Sequence, residues 1–141
     1  MSEVIDRFRG EFDWLSNFFL CQVEFEGMNF SNVEAAFQAA KCLDMKERER
    51  FFGLSGGQAK RLGRRVELRP DWEEVKIEIM RQVLKSKFTQ NSELREKLIA
   101  TGDTELIEGN NWNDTFWGVC RGKGRNHLGK LLMEVRAELV N

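Results

Sequence analysis

Apolar and polar residues alternate from Leu20 to Phe30, which is the pattern of a strand with one buried face. Cys21, Val23 and Phe25 share that face, and the dipeptide Glu26-Gly27 then interrupts the alternation. A glycine between two short alternating runs is typical of the turn in a β-hairpin. This segment therefore predicts an antiparallel hairpin.

Apolar residues at helical spacing predict helices over most of the remaining chain. The clearest helix runs from Asp71 to about Phe88, with Trp72, Val75, Ile79 and Val83 three or four residues apart. Further helices are predicted over 31–41, 45–52, 56–65, 92–100 and 127–139. In the last of these, the expected buried residues are Leu128, Leu132, Val135 and Leu139.

Three helices carry a sequence signal at their first turn. Ser31 followed by Glu34, and Asp71 followed by Glu74, match the capping box, in which the first side chain accepts a backbone N–H hydrogen bond. Ser92 is the predicted cap of the fifth helix. Ser31, Asp71 and Ser92 are thus the expected N-caps.

The predicted elements make an α+β fold, compact and mostly helical with a small β-hairpin. A weak strand is expected over 105–108, followed by a region over 109–126 that is rich in Gly, Asn and Trp and lacks periodicity. A chain of 141 residues with one proline and no linker fits a single domain spanning 1–141.

Charge and composition narrow the function classes. Twenty-two Lys and Arg oppose 23 Asp and Glu, so the overall charge does not favour nucleic acid or an anionic membrane. No apolar run reaches the roughly 18 residues of a membrane span, and the N-terminus lacks the features of a secretory signal. We therefore expect a cytoplasmic protein with no membrane partner, whose three scattered cysteines are free thiols.

A single histidine, His127, limits the chemistry further. It excludes a zinc site built from several histidines, and a Ser-His-Asp triad would have to use this one histidine. We expect no metal and no cofactor. The chemistry must rest on carboxylates, lysine, arginine, aromatic rings and backbone amides.

The first helix presents a carboxylate, an amide and an amine on one side. Glu34, Gln38 and Lys41 lie at i, i+4 and i+7. One interpretation is that Glu34 completes a helix cap while the other two side chains face solvent. The other is a buried site, because the alanines at 35, 36, 39 and 40 allow close packing against neighbouring elements.

Two further segments are candidates for ligand binding. The loop over 108–118 could stack a base or sugar on its aromatic rings, with Asp114 as a base or a ribose-hydroxyl acceptor, or it could be a connector that covers the core. The segment over 121–126 carries three cations before the last helix and could hold a phosphate. The basic residues between Lys60 and Arg69 fit a solvated helix face, from which Arg64 could reach a phosphate.

Several of these segments together resemble the YbiA-like or NADAR family, in order and over nearly the whole chain. The residues that carry the resemblance are Trp14–Phe19, Glu34–Lys41, Gly63-Arg64, Asp71-Trp72, Met80, Lys87-Phe88, Leu106–Glu108, Asn113-Asp114, Trp117-Gly118, Gly122–Gly129 and Leu132-Met133. The resemblance implies a small α+β N-glycosidase. Its substrates would be a ribosylamine phosphate of early riboflavin synthesis, releasing ribose 5-phosphate, or ADP-ribose attached to guanine in a nucleotide or nucleic acid.

The resemblance also implies a set of site residues. The catalytic residues would be Glu34, Lys41 and Asp114, and the substrate-binding residues would be Asn17, Phe18, Gln38, Arg64, Trp72, Lys87, Trp117, Gly118, Gly124 and Asn126. A carboxylate near the ribose could stabilise charge at C1′ or move a proton. Alternatively, Lys41 could attack C1′ and hold it as a Schiff base, which requires a neutral amine.

One position departs from the family pattern, and two other functions stay open. Residue 35 is alanine where many relatives are expected to have histidine, and His127 is expected to be a capping or surface residue. The chain could instead be a non-catalytic module that binds ADP-ribose or a nucleotide, which would need no amine beside a carboxylate. It could also be an interaction protein that docks a partner through exposed tryptophans.

Overall fold

The computed structural model describes residues 3–141. In chain order its elements are β1 (Val4–Ile5), a 3-10 helix (Gly10–Leu15), β2 (Val23–Phe25), β3 (Met28–Phe30), α1 (Val33–Ala39), α2 (Met45–Glu49), α3 (Gly56–Gly63), α4 (Trp72–Gln90), α5 (Ser92–Ala100), β4 (Glu105–Leu106), β5 (Gly109–Asn110), β6 (Val119–Cys120) and α6 (His127–Leu139). Helix exceeds strand, and the predicted α+β class is confirmed.

These elements form two compact units. One is the continuous segment Asn17–Asn91, and the other combines the described residues up to Ser16 with Ser92–Asn141. The first contains the hairpin and helices α1 to α4, and the second contains the remaining strands with α5 and α6. The expected single domain over 1–141 stays a prediction.

The predicted hairpin is confirmed. Strands β2 and β3 pair antiparallel, with Val23 opposite Phe30. Glu26 and Gly27, at φ of 49° and 85°, are both left-handed, which is the backbone of the tight turn that follows the natural twist of a hairpin. Val23, Phe25 and Phe30 are buried, and β2 packs on α4 and α1.

Helix α1 is the centre of its unit, because all seven of its residues are buried. Its alanines leave room for α3 and α4 to pack closely on it. The prediction that Ser31 caps this helix is wrong. The N-cap is Asn32, whose Oδ1 accepts a 2.7 Å hydrogen bond from the N–H of Ala35, while the carbonyl of Ser31 accepts from Cys21 in the hairpin.

Helix α4 begins after Asp71 as predicted, but without the predicted capping box. The Asp71 side chain makes no capping hydrogen bond. Instead its two oxygens accept hydrogen bonds of 2.7 and 3.1 Å from the Arg69 guanidinium. Trp72, Ile79 and Val83 are buried as expected, and Val75 is half-buried.

The shorter helices differ from their predictions at the ends. Helix α2 stops at Glu49 rather than near residue 52, and α5 begins at Ser92 itself. Helix α3 follows a complete capping box, in which Ser55 and Gln58 each accept a hydrogen bond from the other's backbone.

The second unit contains two short parallel strand pairs. Strand β1 pairs with β4, so that Ile5 lies opposite Leu106, and β5 pairs with β6. Part of the segment 109–126, in which the sequence shows no periodicity, therefore forms strands. Helix α6 has the predicted bounds and packs on β4.

The buried stripe of α6 is nearly the predicted one. Leu128, Leu132 and Val135 are buried, whereas Leu139 in the last turn is only half-buried, contrary to expectation. Arg136 is buried as well, because its guanidinium donates to Thr101 Oγ1 and to the carbonyl of Thr104.

The cysteine prediction is confirmed, since Cys21, Cys42 and Cys120 are free thiols. Between residues 3 and 141, none of the helices combines the length and the apolar character needed to span a membrane. Of the four tryptophans, Trp14 and Trp72 are buried and Trp117 is half-buried, so Trp112 is the one described tryptophan that is exposed.

Candidate active site

Glu34 and Gln38 lie in the interior and are hydrogen-bonded to each other. Each residue is 6% exposed, and Gln38 Nε2 donates to Glu34 Oε2 over 2.6 Å. The interpretation in which Gln38 faces solvent and Glu34 completes a capping box is therefore wrong. Helix α1 instead holds a carboxylate and an amide within the core of the unit, where polar groups are costly unless they are paired.

The backbone of Asn17 supports this carboxylate from outside the helix. Its carbonyl accepts a 3.0 Å hydrogen bond from the N–H of Glu34, one of the first-turn donors that α1 cannot satisfy itself. The Asn17 side chain donates weakly to Met80 Sδ at 3.7 Å. Its Oδ1 is buried and has no hydrogen-bond partner among the described residues, so this predicted site residue carries an unused acceptor.

Lys41 follows the end of α1 and is half-buried. Its ammonium lies 3.5 Å from the carbonyl oxygen of Gly63 and 5.9 Å from the centre of the Trp72 ring. Its own carbonyl accepts a 2.9 Å hydrogen bond from the N–H of Arg69. These contacts fix the lysine between the ends of α1 and α3 and the start of α4.

The surroundings of Lys41 favour its neutral form. Burial lowers the pKa of Lys41 below its ordinary value, and the neighbouring cations Arg64 and Lys76 lower it further. Glu34 acts in the opposite direction but does not outweigh burial. A lysine with a lowered pKa is a better nucleophile and base near neutral pH than a solvated one.

Gln38 also makes a close approach to α3. Its Oε1 is buried with no hydrogen-bond partner among the described residues, and a Cβ added to Gly63 would overlap this oxygen. A buried acceptor without a partner costs about 1–3 kcal/mol. The favourable hydrogen bond to Glu34 therefore comes with an unfavourable contact on the other side of the amide.

Three other predicted residues of this unit differ in exposure. Phe18 is 48% exposed; its ring faces Gly56, where an added Cβ would lie 2.5 Å from the ring, and Lys60 Nζ lies 5.8 Å from the ring centre. Arg64 is exposed, as the solvated-face interpretation expected. Trp72 is buried against Phe37, with ring centres 5.0 Å apart.

Lys87 is the most enclosed of the predicted residues. It is fully buried in α4, and its ammonium lies 5.7 Å from the Phe19 ring centre and 5.1 Å from that of Phe88. Burial raises the pKa of the Cys21 thiol, and the charge of Lys87 partly offsets the effect. The sequence pattern of α4 did not indicate that a lysine would be buried.

In the second unit, Asp114 organises a rigid turn. Its Oδ1 accepts hydrogen bonds from the N–H groups of Phe116 and Trp117, at 3.1 and 2.9 Å. The Asn110 side chain donates to the Asp114 carbonyl and accepts from the Asp114 N–H. This loop is thus held by its own side chains, as in a shaped functional loop.

Asn126 adopts a left-handed backbone conformation, and both ends of its side chain are used internally. It accepts from the N–H of Glu108 and donates to the carbonyl of Leu106, each over 2.9 Å. Gly118 and Gly124 are sites of close approach. An added Cβ at Gly118 would overlap the Glu108 carboxylate, and one at Gly124 would overlap the carbonyl of Gly118.

The expected position of His127 on the surface is corrected by the structure. His127 is the first residue of α6, is half-buried, and packs beside the rings of Phe116 and Trp117, with centres 4.5 and 6.3 Å away. Its backbone N–H donates to the carbonyl of Phe116, and that of Leu128 donates to the carbonyl of Trp117. These two N–H groups are therefore not available to an anion, although the cations over 121–125 are exposed.

The sequence pattern singles out the segments that contain Gly63, Glu108, Asn110 and Arg69, but it predicts none of the contacts described above for these four residues. No local pattern indicates a close approach of Gly63 to Gln38, because it depends on how α3 packs on α1. Among residues 3–141, no three His, Cys, Asp or Glu side chains are grouped so that they could hold a metal ion.

The structure thus combines a buried carboxylate with a nearby lysine of lowered pKa in an α+β protein, and these groups are suited to acid–base and amine chemistry. The NADAR domain model matches residues 7–140, and the chain belongs to this family. The resemblance drawn from the sequence is thereby confirmed.

The relatives include proteins named as enzymes. N-glycosidase YbiA of Escherichia coli strain K12 is 43% identical over 129 residues, which cover 89% of this chain and 80% of that protein. An N-glycosidase of Nostoc punctiforme is 38% identical over 133 residues, covering 89% of this chain and 85% of that one. A riboflavin biosynthesis protein of Vibrio vulnificus is 40% identical over 130 residues, which cover 89% of this chain but 35% of that protein.

A solved structure shares the fold. The NMR structure of E. coli YbiA matches this chain with a TM-score of 0.86 and 39% sequence identity. The match covers 99% of this chain and 87% of the other. Fold and family therefore agree.

Proposed function

We propose that this chain hydrolyses the N-glycosidic bond between a ribosyl group and a base, with Glu34 and Lys41 as catalytic residues. The predicted enzyme class, a hydrolase of N-glycosyl compounds, is confirmed by the relatives named N-glycosidase. One observation carries the residue assignment. Glu34 is buried on the same helix that leads to Lys41, and burial lowers the pKa of that lysine.

The family indicates a small-molecule ribosylated substrate. Within that class we propose the ribosylamino-pyrimidine 5′-phosphate of early riboflavin synthesis, which would yield ribose 5-phosphate. The Vibrio vulnificus relative named as a riboflavin biosynthesis protein supports this choice, as does a net charge of -1, which gives no general attraction for nucleic acid. ADP-ribose attached to guanine is the second substrate to be tested.

Glu34 is proposed to move protons at the reacting centre. Cleavage of an N-glycosidic bond develops positive charge at C1′, which a nearby carboxylate stabilises. The departing base nitrogen also needs a proton. The carboxylate is buried and held by Gln38, and the backbone N–H of Glu34 is held by the carbonyl of Asn17, so the residue is preorganised for both tasks.

Lys41 is proposed to form a transient bond to the sugar. When the sugar ring opens, the N–H proton of the substrate moves to the ring oxygen and C1′ becomes an imine carbon bound to the base nitrogen. The neutral amine of Lys41 adds to C1′, and its two protons pass in turn through Glu34 to the base nitrogen. The bond from C1′ to that nitrogen then breaks, which releases the base as an amine and leaves C1′ bound to Lys41 as a Schiff base. Water then adds to C1′ of the resulting Schiff base and releases the free sugar and the amine. The lowered pKa of Lys41 supports this route because only the neutral amine is nucleophilic.

The substrate-binding residues proposed for this unit include exposed side chains and buried ones. We propose that the exposed Phe18 ring stacks on the base and that the exposed Arg64 binds a phosphate. Asn17 has an unused acceptor for a ligand hydroxyl or amide. The buried Trp72 and Lys87 are proposed to support the pocket.

In the other unit, Asp114 is proposed as a third catalytic residue, and Trp117, Gly118, Gly124 and Asn126 as residues that shape its surroundings. Asp114→Asn preserves the Oδ1 acceptor for two backbone N–H groups while removing the charge. A catalytic role predicts a fall in kcat with an unchanged melting temperature. Unchanged kcat would leave Asp114 as a structural residue of its turn.

Mass spectrometry of the products tests the function. The purified chain is incubated with the riboflavin-pathway ribosylamine phosphate and, separately, with guanine-linked ADP-ribose, and the released sugar is identified. Adding borohydride during turnover should reduce the Schiff base and attach the sugar phosphate to Lys41, with no attachment in Lys41→Ala. The control Lys46→Ala, at an exposed position of α2, should be labelled like the wild type. Binding of either compound without cleavage would favour a non-catalytic nucleotide-binding module.

A further inference from the structure

Gly63 lies where helix α3 closely approaches the Gln38 side chain of α1. An added Cβ at Gly63 would overlap Gln38 Oε1, and would lie 2.7 Å from Gln38 Cδ and 3.3 Å from Gln38 Cβ. The added Cβ would therefore crowd the Gln38 Cβ as well as the amide group. The Gln38 Cβ has little room to move away, because all seven residues of α1 are buried.

The orientation of the Gln38 amide is determined by its two neighbours. Its Nε2 donates to Glu34 Oε2 over 2.6 Å, and its Oε1 faces Gly63 without a hydrogen-bond partner among the described residues. Rotating the amide by half a turn would replace the donor that faces Glu34 Oε2 with an oxygen, so the 2.6 Å hydrogen bond would be lost. The amide can keep its hydrogen bond to Glu34 only if residue 63 leaves it space.

Gly63 also contacts the second catalytic residue. Its carbonyl oxygen lies 3.5 Å from the Lys41 ammonium. As the last residue of α3, Gly63 has a carbonyl without a partner inside the helix, which can accept a hydrogen bond from the Lys41 amine. A single residue thus contacts the partner of Glu34 through its Cα and Lys41 through its carbonyl.

We propose that Gly63 is a positioning residue of the reaction, which holds the Gln38 amide on Glu34 and keeps Lys41 beside them. The assignment rests on the proposed function of Glu34 and Lys41. It also gives Gln38 a role different from the substrate contact expected from the sequence. Because Gln38 lies against Gly63 and is hydrogen-bonded to Glu34, the packing of α3 on α1 determines where the Glu34 carboxylate lies.

The same helix supplies a matched control. Neither Gly57 nor Gly63 has a positive φ, so alanine is acceptable to the backbone at both positions. A Cβ at Gly57 would meet only Arg61 Nη1, at 3.8 Å. Gly57→Ala therefore adds the same methyl group to α3 without touching Gln38.

The test compares Gly63→Ala and Gly57→Ala in the full chain by NMR and by kinetics. In the wild type, the Gln38 side-chain NH₂ should give a signal that is shifted by its hydrogen bond and protected from solvent exchange. Gly63→Ala should abolish this signature and lower kcat for the ribosylamine phosphate by about 100-fold, the scale expected for a displacement of about 1 Å, with little change in KM. Gly57→Ala should change neither property. A retained Gln38 signature in Gly63→Ala, or equal effects of the two substitutions, would overturn the proposal.

A double variant covers the possibility that Gly63→Ala does not fold. Gln38→Ala removes the side chain that the new methyl group would meet, so Gly63→Ala combined with Gln38→Ala should fold. It should be no less active than Gln38→Ala alone. A further loss in the double variant would show that Gly63 acts independently of Gln38 and would contradict the inference. If the wild type releases no sugar from either substrate, the proposed function fails, whereas the NMR comparison still decides whether Gly63 positions Gln38.

Discussion

Glu34 lies one helical turn before Gln38, and a 2.6 Å hydrogen bond from Gln38 Nε2 to Glu34 Oε2 joins them inside helix α1. This hydrogen bond offsets part of the cost of burying the two polar groups. It is also directional, so it fixes the carboxylate as well as stabilising it. Because the two side chains share one rigid helix, this geometry exists before any substrate binds.

Replacing Glu34 with glutamine should abolish most of the activity. The substitution keeps the volume but removes the charge and the ability to move a proton, so kcat should fall by about 10²–10⁴-fold. Sugar release under saturating substrate measures the effect. Glu74→Gln, an exposed position on α4, is the control and should match the wild type. A folded Glu34→Gln variant with wild-type kcat would remove Glu34 from the mechanism.

Removing the charge of Arg64 should change the pH dependence of the rate. Arg64 is one of the cations that lower the pKa of Lys41, so Arg64→Gln should raise that pKa. A larger fraction of Lys41 is then protonated at a given pH, and the rise of kcat with pH should move to higher pH. Because Arg64 is exposed, its contribution is below about 1 kcal/mol, which is less than about fivefold in rate at neutral pH.

Two comparisons make the pH experiment specific. Lys76→Gln should move the profile in the same direction by a smaller amount, because Lys76 is the weaker of the two cations acting on Lys41. Arg61→Gln, also on α3 and exposed, should not move it. A shift to lower pH in Arg64→Gln would contradict the role of the neutral amine. The measurement uses kcat, since Arg64 is also proposed to bind a phosphate and its loss should raise KM.

Replacing Arg48 should destabilise the fold. Its Nε donates to the carbonyl of Cys42 over 2.8 Å and its Nη1 contacts Glu26 Oε1 at 2.6 Å, with the Arg48 side chain only 3% exposed. Arg48→Ala leaves the Cys42 carbonyl unpaired, at a cost of about 2 kcal/mol in the free energy of unfolding. Urea denaturation measures the change. Arg50→Ala, on the exposed side of the same segment and paired with Glu47, should change it by less than about 0.5 kcal/mol; equal effects would show that burial is not the cause.

Asn126 should be important for stability through both its backbone and its side chain. Asn126→Ala breaks the two hydrogen bonds to the backbone of Leu106 and Glu108 and leaves a left-handed conformation that alanine disfavours. We expect a loss of about 2–4 kcal/mol in urea denaturation. Asn126→Gly should lose less, because glycine accepts the conformation. Asn113→Gly, at an exposed left-handed position, should be nearly neutral, because the Asn113 side chain makes only long contacts of 3.5 and 3.9 Å. An equally large loss in Asn113→Gly and Asn126→Gly would show that the two hydrogen bonds of Asn126 are not the cause.

The sequence predicts helix α6 and the hairpin well because both depend on local information. The apolar spacing of α6 and the glycine turn at Gly27 are readable from neighbouring residues, and the structure has both. The cap at Ser31 was wrong for a tertiary reason. The carbonyl of Ser31 binds Cys21 in the hairpin, and the adjacent Asn32 supplies the cap.

For the candidate site, the sequence predicted which residue types take part but not whether they are buried. The spacing of Glu34, Gln38 and Lys41 placed them together on one side of a helix, but it could not tell a buried side from a solvated one. The lowered pKa of Lys41 depends on burial by other elements. The role of Gly63 depends on an approach between two helices, which leaves no trace in local sequence.

The parallel pairing of β1 with β4 bears on how the chain folds. Val4 lies opposite Glu105, so this ladder joins positions about a hundred residues apart. Closing such a long loop costs conformational entropy, and this cost must be met before the strand pairing can stabilise the fold. The segment Asn17–Asn91 is continuous and can form its contacts within that loop. Its early collapse would shorten the effective loop and hasten the pairing of β1. Connectivity therefore predicts that the helices around Glu34 and Lys41 form before β1 pairs with β4.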